Sequence, residues 1–178
     1  MIYKNFTPFP VLTTNRLKLR ALSMDDAETI FALRSDPEIN KYLNREISTS
    51  VEDARNFIRK ISEGVATDTF IYWAITLTEN NEFVGTIGLF SFSDTNQQCE
   101  IGYELLPRYQ RQGIMKEAAI AVIGYAFQTL GIQKIEAFTH KDNNSSTKLL
   151  EAIHFKRAIT PPEENPNLIV FTLSNSHQ

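Results

Sequence analysis

The chain has 178 residues, 42% of them apolar, and its 18 basic and 21 acidic residues leave a formal charge of -3. That length suits one ordinary domain spanning residues 1–178, which buries roughly 70% of the surface its unfolded chain exposes and needs no disulfide or metal staple. A single cysteine (Cys99) and three scattered histidines (His140, His154, His177) give neither a disulfide framework nor metal-ligand spacing, and no lysine or arginine run offers a track for nucleic acid.

The opening MIYKNFTPFPVLTTNR lacks a basic start and an unbroken apolar run, and no later apolar stretch reaches bilayer length. A soluble, cytoplasmic protein is therefore expected. Residues 16–22 (RLKLRAL) alternate leucine with polar side chains and predict a half-buried strand. Ser23 then caps a helix whose first turn carries Asp25, Asp26 and Glu28, where the positive end of the helix dipole favours carboxylates. Asp36-Pro37 interrupts that helix, residues 38–43 predict a short helical turn, and Ser50 opens another helix that runs to Gly64. Residues 70–77 and 83–92 are rich in β-branched and aromatic side chains and flank Asn80-Asn81, which reads as a hairpin. Residues 98–106 supply the next strand.

From residue 113 to 130 the sequence predicts a long, mostly apolar helix with Lys116, Glu117 and Gln128 outward and Gly131 placed to end it. Residues 134–140 predict a strand and 145–153 a capped helix. Residues 155–160 and 168–173 then predict closing strands around the loop PPEENPN. The expected fold is mixed α/β, with a mostly antiparallel, twisted sheet of about six to seven strands and helices on both faces.

The most informative stretch is PRYQRQGIMKEAA, where a strand ends, a polar loop holds Gln110-Arg111-Gln112-Gly113, and a helix begins at once. Such a junction binds anions, because the first turn of a helix has unpaired N–H groups and partial positive charge, and glycine lets backbone approach a phosphate closely. It lacks the Gly-Lys-Ser/Thr ending of a nucleoside-triphosphate loop and the paired glycines of a dinucleotide fingerprint. A pyrophosphate bound without a metal fits better.

Here the sequence resembles the GCN5-related N-acetyltransferases (GNAT), whose coenzyme A loop reads Q/R-x-x-G-x-G/A. The resemblance is nearest to the branch that includes the ribosomal-protein alanine N-acetyltransferases (RimJ/RimL-like) and covers nearly the whole chain. TNRLKLRALSMDDA, EIGYELLPRYQRQGIMKEA and NNSSTKLLEAIHF follow in that branch's order. The resemblance implies acetyl-CoA as cosubstrate and a primary amine as acceptor. It implies that the amides of Arg111, Gln112, Gly113, Ile114, Met115 and Lys116 hold the pyrophosphate, with Gln110 opening the loop. The strand end at Leu105 and Leu106 pairs with the pantetheine arm, and Asn143 and Ser146 contact the cosubstrate further along. Met115 replaces the usual small residue, and His154 the glycine after the last helix.

Amine attack on a thioester needs a base for the ammonium proton, donors for the carbonyl oxygen and an acid for the thiolate. Along CEIGYEL, strand alternation puts Glu100, Gly102 and Glu104 on one face, the carboxylates about 13 Å apart, so only one reaches the thioester. Glu104 is the preferred base and His140 the second choice, while backbone amides around Leu105 and Leu106 are the expected oxyanion donors. Many relatives carry a tyrosine acid where this chain has Leu150. Ser146 could donate to the sulfur instead, or the thiolate could leave unaided, and Ser146 could equally bond back to its own helix. Cys99 alternates with Ile101 and Tyr103 on the core face, which marks a packing thiol rather than an acetyl carrier.

The leading acceptor is a protein or peptide N-terminus. A small amine such as a polyamine or aminoglycoside is the rival, favoured if Glu100 and Glu104 line an acidic pocket, and a non-catalytic acyl-CoA sensor is the rival of another class. Exposed sheet edges make a homodimer conceivable.

Overall fold

The computed structural model describes residues 1–158 and 164–176. Eight strands form one sheet: β1 (Leu12–Thr13), β2 (Leu17–Arg20), β3 (Ile71–Leu77), β4 (Phe83–Ser93), β5 (Gln98–Leu105), β6 (Lys134–His140), β7 (Lys156–Arg157) and β8 (Leu168–Ser174). Their order across the sheet is β1-β2-β3-β4-β5-β6-β8-β7. Every adjacent pair is antiparallel except β5 and β6, which run parallel. The strand beyond the expected seven is Leu12–Thr13, two residues at the sheet edge that are too short to carry an alternation and exist through pairing with Lys18 and Leu19. Residues 159–160 of the expected strand, 161–163 of the loop PPEENPN, and His177 lie outside the described residues.

The helices are α1 (Ala27–Ser35), α2 (Pro37–Asn40), α3 (Val51–Ala66), α4 (Ile114–Gln128) and α5 (Asn144–Ala152). Their ends follow local chemistry. The Asp26 carboxylate accepts from the Ser23 amide (2.8 Å) ahead of α1, although the chain enters through a 3-10 turn, Met24–Asp26, rather than directly into the α-helix. Asp36 accepts from the amides of Glu38 and Ile39 to start α2 at Pro37. Ser50 and Asp53 cap α3 reciprocally, each amide donating to the other's side chain at 3.2 Å. Gly131 after α4 and His154 after α5 both adopt the left-handed conformation, with φ of 75° and 72°.

Side-chain alternation divides the core between the two faces of the sheet. Ile71, Trp73 and Ile75 of β3 with Cys99, Ile101 and Leu105 of β5 meet the inner face of α4, whose Ala118, Ala119 and Ala126 allow close packing, and Leu150 of α5. Ala74 and Phe83 on the opposite face meet Ala27, Ile30 and Leu33 of α1 and Ala54 and Ile58 of α3. Helices thus cover both faces, as expected. The parallel neighbours β5 and β6 need a crossover, which α4 supplies. Their pairing stops early: Gln98, Cys99 and Glu100 pair with Lys134, Ile135 and Glu136, and beyond that point no pairing between them is found. A gap opens there between the C-terminal halves of two otherwise regular strands.

Candidate active site

The connection from β5 to α4 leaves backbone donors unoccupied. Pro107–Tyr109 make one 3-10 turn, and the Gln110 side-chain amide donates to the Leu105 carbonyl (3.1 Å), tying the loop to the strand end. Arg111 and Gly113 take positive φ (62° and 75°), and Gly113 heads α4 with no side-chain cap. The first backbone bond into the helix runs from Glu117 N–H to Gly113 O (3.1 Å), so the amides of Ile114, Met115 and Lys116 emerge at the positive end of a 15-residue helix. A Cβ at Gly113 would meet only an Arg16 guanidinium nitrogen, at 3.5 Å, so the cradle above the helix is open. Met115, where the loop pattern has a small residue, is buried in the core and does not narrow it.

Arg16, just ahead of β2, braces this loop from outside it. Its Nε pairs with Glu117 Oε1 (2.9 Å), Nη1 donates to the Gln112 carbonyl (3.0 Å), and its backbone N–H donates to Glu117 Oε2 (3.0 Å), which also accepts from Thr14 Oγ1. Burial pushes the Glu117 carboxyl up, but the hydrogen bonds from Thr14 and Arg16 outweigh it and hold the group below the ordinary carboxylate range. The carboxylate in the first turn of α4 is thereby kept on Thr14 and Arg16 instead of over the free amides. Nothing in the leucine alternation of RLKLR signals this role.

Where β5 and β6 part, a cavity of about 590 Å³ is lined by Ile101, Gly102 and Tyr103 of β5, Ala137 to His140 of β6, Asn143 and Ser146 at the start of α5, and the segment from Lys41 to Asn44. Asn143 caps α5 by accepting from Ser146 N–H (3.2 Å). The Ser146 hydroxyl is free of that duty and lies 2.8 Å from the Tyr103 phenol oxygen. Burial pushes the Tyr103 phenol up to about 12, partly offset by its bond to Ser146. Leu150 is fully buried in the core, so the position where the resemblance implies a phenol carries none toward the cavity.

The register of β4 against β5 decides which amides face the gap. Leu106 N–H donates to Val84 O (2.9 Å), and pairing continues as Glu104 with Thr86 and Gly102 with Gly88. In an antiparallel ladder the outward-facing groups alternate, so the N–H groups of Leu105 and Tyr103 point away from β4 toward β6. Leu106 is committed to Val84 and is not an available oxyanion donor, which corrects the expectation for that residue. Leu105 keeps its availability, and Tyr103 joins it.

Glu104 emerges on the opposite face of β5 from Tyr103, one of its carboxylate oxygens held by Arg45 Nη1, while Arg45 Nε donates to Asn40 Oδ1 (2.7 Å). Arg34 stands near the same group, stacked 4.0 Å over the Phe57 ring. Burial, then the Arg45 charge, lower its pKa, and Glu104 counteracts them. The Glu104 side of the gap is consequently not an uncompensated acidic pocket. Arg45 lies 59 residues from Glu104, a separation at which no sequence pattern could pair them. His140 lines the cavity with its ring stacked on Tyr42 (centroids 5.1 Å apart), and its Nδ1 accepts from the Asp142 amide (3.1 Å). Cys99 is 1% exposed, and burial, with Glu100 adding, pushes its thiol up to about 12, the behaviour of a packing residue.

Among the described residues no group of three or more histidine, cysteine, aspartate or glutamate side chains is placed to hold a metal ion, and no helix is long and apolar enough to cross a membrane. An uncapped helix start, free strand edges and a cleft open between them fit an extended thioester that carries a pyrophosphate.

Residues 16–156 match the acetyltransferase (GNAT) domain family. The chain is similar to an uncharacterized N-acetyltransferase, YoaA, of Bacillus subtilis, 35% identical over 149 residues that cover 84% of each chain. Among solved structures it is similar to a putative ribosomal-protein-serine acetyltransferase from Vibrio cholerae, with a TM-score of 0.80, 25% identity, and coverage of 94% of this chain and 99% of that one. It shares its fold with RimL, a ribosomal L7/L12 alpha-N-protein acetyltransferase in complex with coenzyme A, with a TM-score of 0.83, 18% identity, and coverage of 93% and 98%.

Proposed function

The chain belongs to the GNAT acetyltransferase family and is an acetyl-CoA-dependent N-acetyltransferase, and we propose that its acceptor is the N-terminal α-amine of a protein or peptide, acetylated by direct attack in a ternary complex. The observation that carries this reading is the gap between β5 and β6, with the uncapped start of α4 beside it and Glu104 across the strand from Tyr103 and Ser146. The pyrophosphate binds the amides of Arg111 to Lys116. The pantetheine arm runs along the free edge of β5 as an added strand, with Asn143 at its far side, and one amide of that edge, the Leu105 N–H, donates to the carbonyl oxygen.

Glu104 removes the proton as the amine attacks, directly or through one water, since only one of its oxygens is held by Arg45. Glu104 is favoured over His140 because the Nδ1 lone pair of His140 is already occupied by the Asp142 amide, which leaves Nε2 carrying the ring proton in the neutral form. Because the resting Cys99 thiol is buried and protonated, acetyl passes to the amine without an enzyme-bound thioester.

Two features support a peptide over a small polycation. The carboxylate side of the gap already holds its own arginines, and the cavity rim presents the exposed apolar side chains of Leu43 and Phe138, suited to the residues that follow an N-terminus. The similarity to a protein whose name is a ribosomal-protein-serine acetyltransferase points the same way. Thiol release from acetyl-CoA measured with peptides of varied first residue and with polyamines and aminoglycosides tests the proposal. Turnover on peptides, with mass spectrometry placing the acetyl on the α-amine, is expected. Turnover confined to small amines would overturn it.

A further inference from the structure

Two hydroxyls in the cleft remain without a role in the proton removal just described. Tyr103 on β5 and Ser146 in the first turn of α5 come from segments 43 residues apart and meet at 2.8 Å in the wall of the cavity. Serine in a first helical turn ordinarily bonds to its own backbone. Here Asn143 takes that place, so the Ser146 oxygen faces the phenol instead. Tyr103 lies three residues beyond Glu100, the last residue of β5 paired with β6, so both oxygens lie inside the gap, where a thioester threading it would put its sulfur.

We infer that Tyr103 is a positioning residue: its phenol donates to Ser146 Oγ and thereby aims the serine proton at the sulfur of the cosubstrate, stabilising the departing thiolate by a hydrogen bond. This rests on the acetyl-transfer reading of the cleft. Either hydroxyl of the pair can donate, and only the phenol-to-serine direction leaves the serine proton for the sulfur. A phenol pushed up to about 12 by burial stays protonated throughout the working range, so it is a standing donor, and a serine that accepts from it still has its own proton to give.

A phenol pushed up by burial is a weaker acid than a free thiol, whose pKa is about 8.5, so the pair serves the sulfur by a hydrogen bond and not by giving up the phenol proton. The bookkeeping is therefore that of a hydrogen bond. The amine nitrogen bonds to the acyl carbon, the C–S bond breaks with its electron pair going to sulfur, and the amine proton goes to Glu104. Ser146 keeps its proton while sharing it with the thiolate, which takes a proton from solvent on release. Lys41, Tyr42 and His140 line the same cavity and are the other titratable groups facing it.

The test uses the full chain with Tyr103→Phe, Ser146→Ala and the double variant, and two readouts. The first needs only coenzyme A: the pKa of its bound thiol, followed by thiolate absorbance. Removing a charge-assisted hydrogen bond should raise that pKa by about one unit in either single variant relative to the unsubstituted protein, and by no more in the double variant. The second is steady-state acetylation, in which kcat should fall about tenfold in each single variant and no further in the double, with the KM for acetyl-CoA unchanged. Tyr103→Phe keeps the ring, so circular dichroism and thermal midpoint serve as the folding control. An unchanged thiol pKa in Tyr103→Phe, or losses in kcat that multiply in the double variant, would overturn the inference. The thiol readout holds whatever the acceptor is, so a failed amine screen and a failed Tyr103 assignment remain distinct results.

Discussion

Arg16 lies at the edge of the sheet, away from the reacting atoms, yet its replacement should weaken the cosubstrate specifically. Arg16→Met keeps the aliphatic stem while removing the Nε bond to Glu117 and the bond to the Gln112 carbonyl. The side chain is 49% exposed, so the ion pair with Glu117 is worth well under 1 kcal/mol after solvent screening. The bond from a charged guanidinium to a backbone carbonyl adds a comparable amount. Together they set a loss of about 1 kcal/mol in the loop's ability to hold an anion, or about fivefold in the Kd for coenzyme A. A Glu117 carboxylate that has lost the Arg16 side chain, with only Oε2 still held by Thr14 and the backbone N–H of residue 16, can also turn toward the Ile114 to Lys116 amides and compete with the pyrophosphate. Calorimetric titration with coenzyme A at about 0.05 M and about 1 M salt reads the effect. The deficit should be largest at low ionic strength and shrink as the Debye length falls to about 3 Å. Adding Glu117→Gln to the Arg16→Met background should recover part of the lost affinity, because it removes the competitor. An unchanged Kd at low salt would refute the brace, and a deficit that Glu117→Gln deepens would refute the competition.

Glu104→Gln should lower kcat by about a hundredfold or more, within the range of a lost general base, while leaving coenzyme A binding intact. Unchanged kinetics would remove Glu104 from the reaction. Cys99→Ala should leave acetyl transfer intact and cost about 1 kcal/mol in denaturant unfolding, and no acetylated cysteine should be trapped by mass spectrometry after acid quench, because the Cys99 thiol is buried and pushed up to about 12. Glu117→Gln alone tests the depressed carboxyl. A folded pKa below the unfolded one contributes stability that is present above the unfolded value, about 4.3, and lost as pH falls through the folded value. The variant should therefore be less stable than the unsubstituted chain at neutral pH, with the gap closing on acidification. A gap that persists at the acid end would mean that the Thr14 and Arg16 bonds act by packing and not by charge.

What the sequence made legible was local. The cap at Ser50 and Asp53, the left-handed turns at Gly131 and His154, and the free helix start after Gly113 each depend on a few consecutive residues, and each is found where the residue types require it. The alternation along CEIGYEL likewise put Glu104 and Tyr103 on opposite faces of their strand. The partners of those residues were not legible. Arg45 reaches Glu104 across 59 positions, Arg16 reaches Glu117 across 101, and Tyr103 meets Ser146 across 43, and no spacing rule links residues that only the closed sheet brings together. The case of Tyr103 shows how the two levels combine. Alternation correctly gave its side chain to the face shared with Cys99 and Ile101, and on a fully paired strand that face is core. But β5 loses its neighbour after Glu100, so the same face becomes the wall of an open cleft at Tyr103. The end of strand pairing, a property of two segments at once, converts a packing position into a functional one. The backbone amides at the end of β5 obey the same logic in reverse: Leu106, adjacent in sequence, is consumed by Val84, while the N–H groups of Leu105 and Tyr103 are turned by the ladder's two-residue period to the side where no strand arrives.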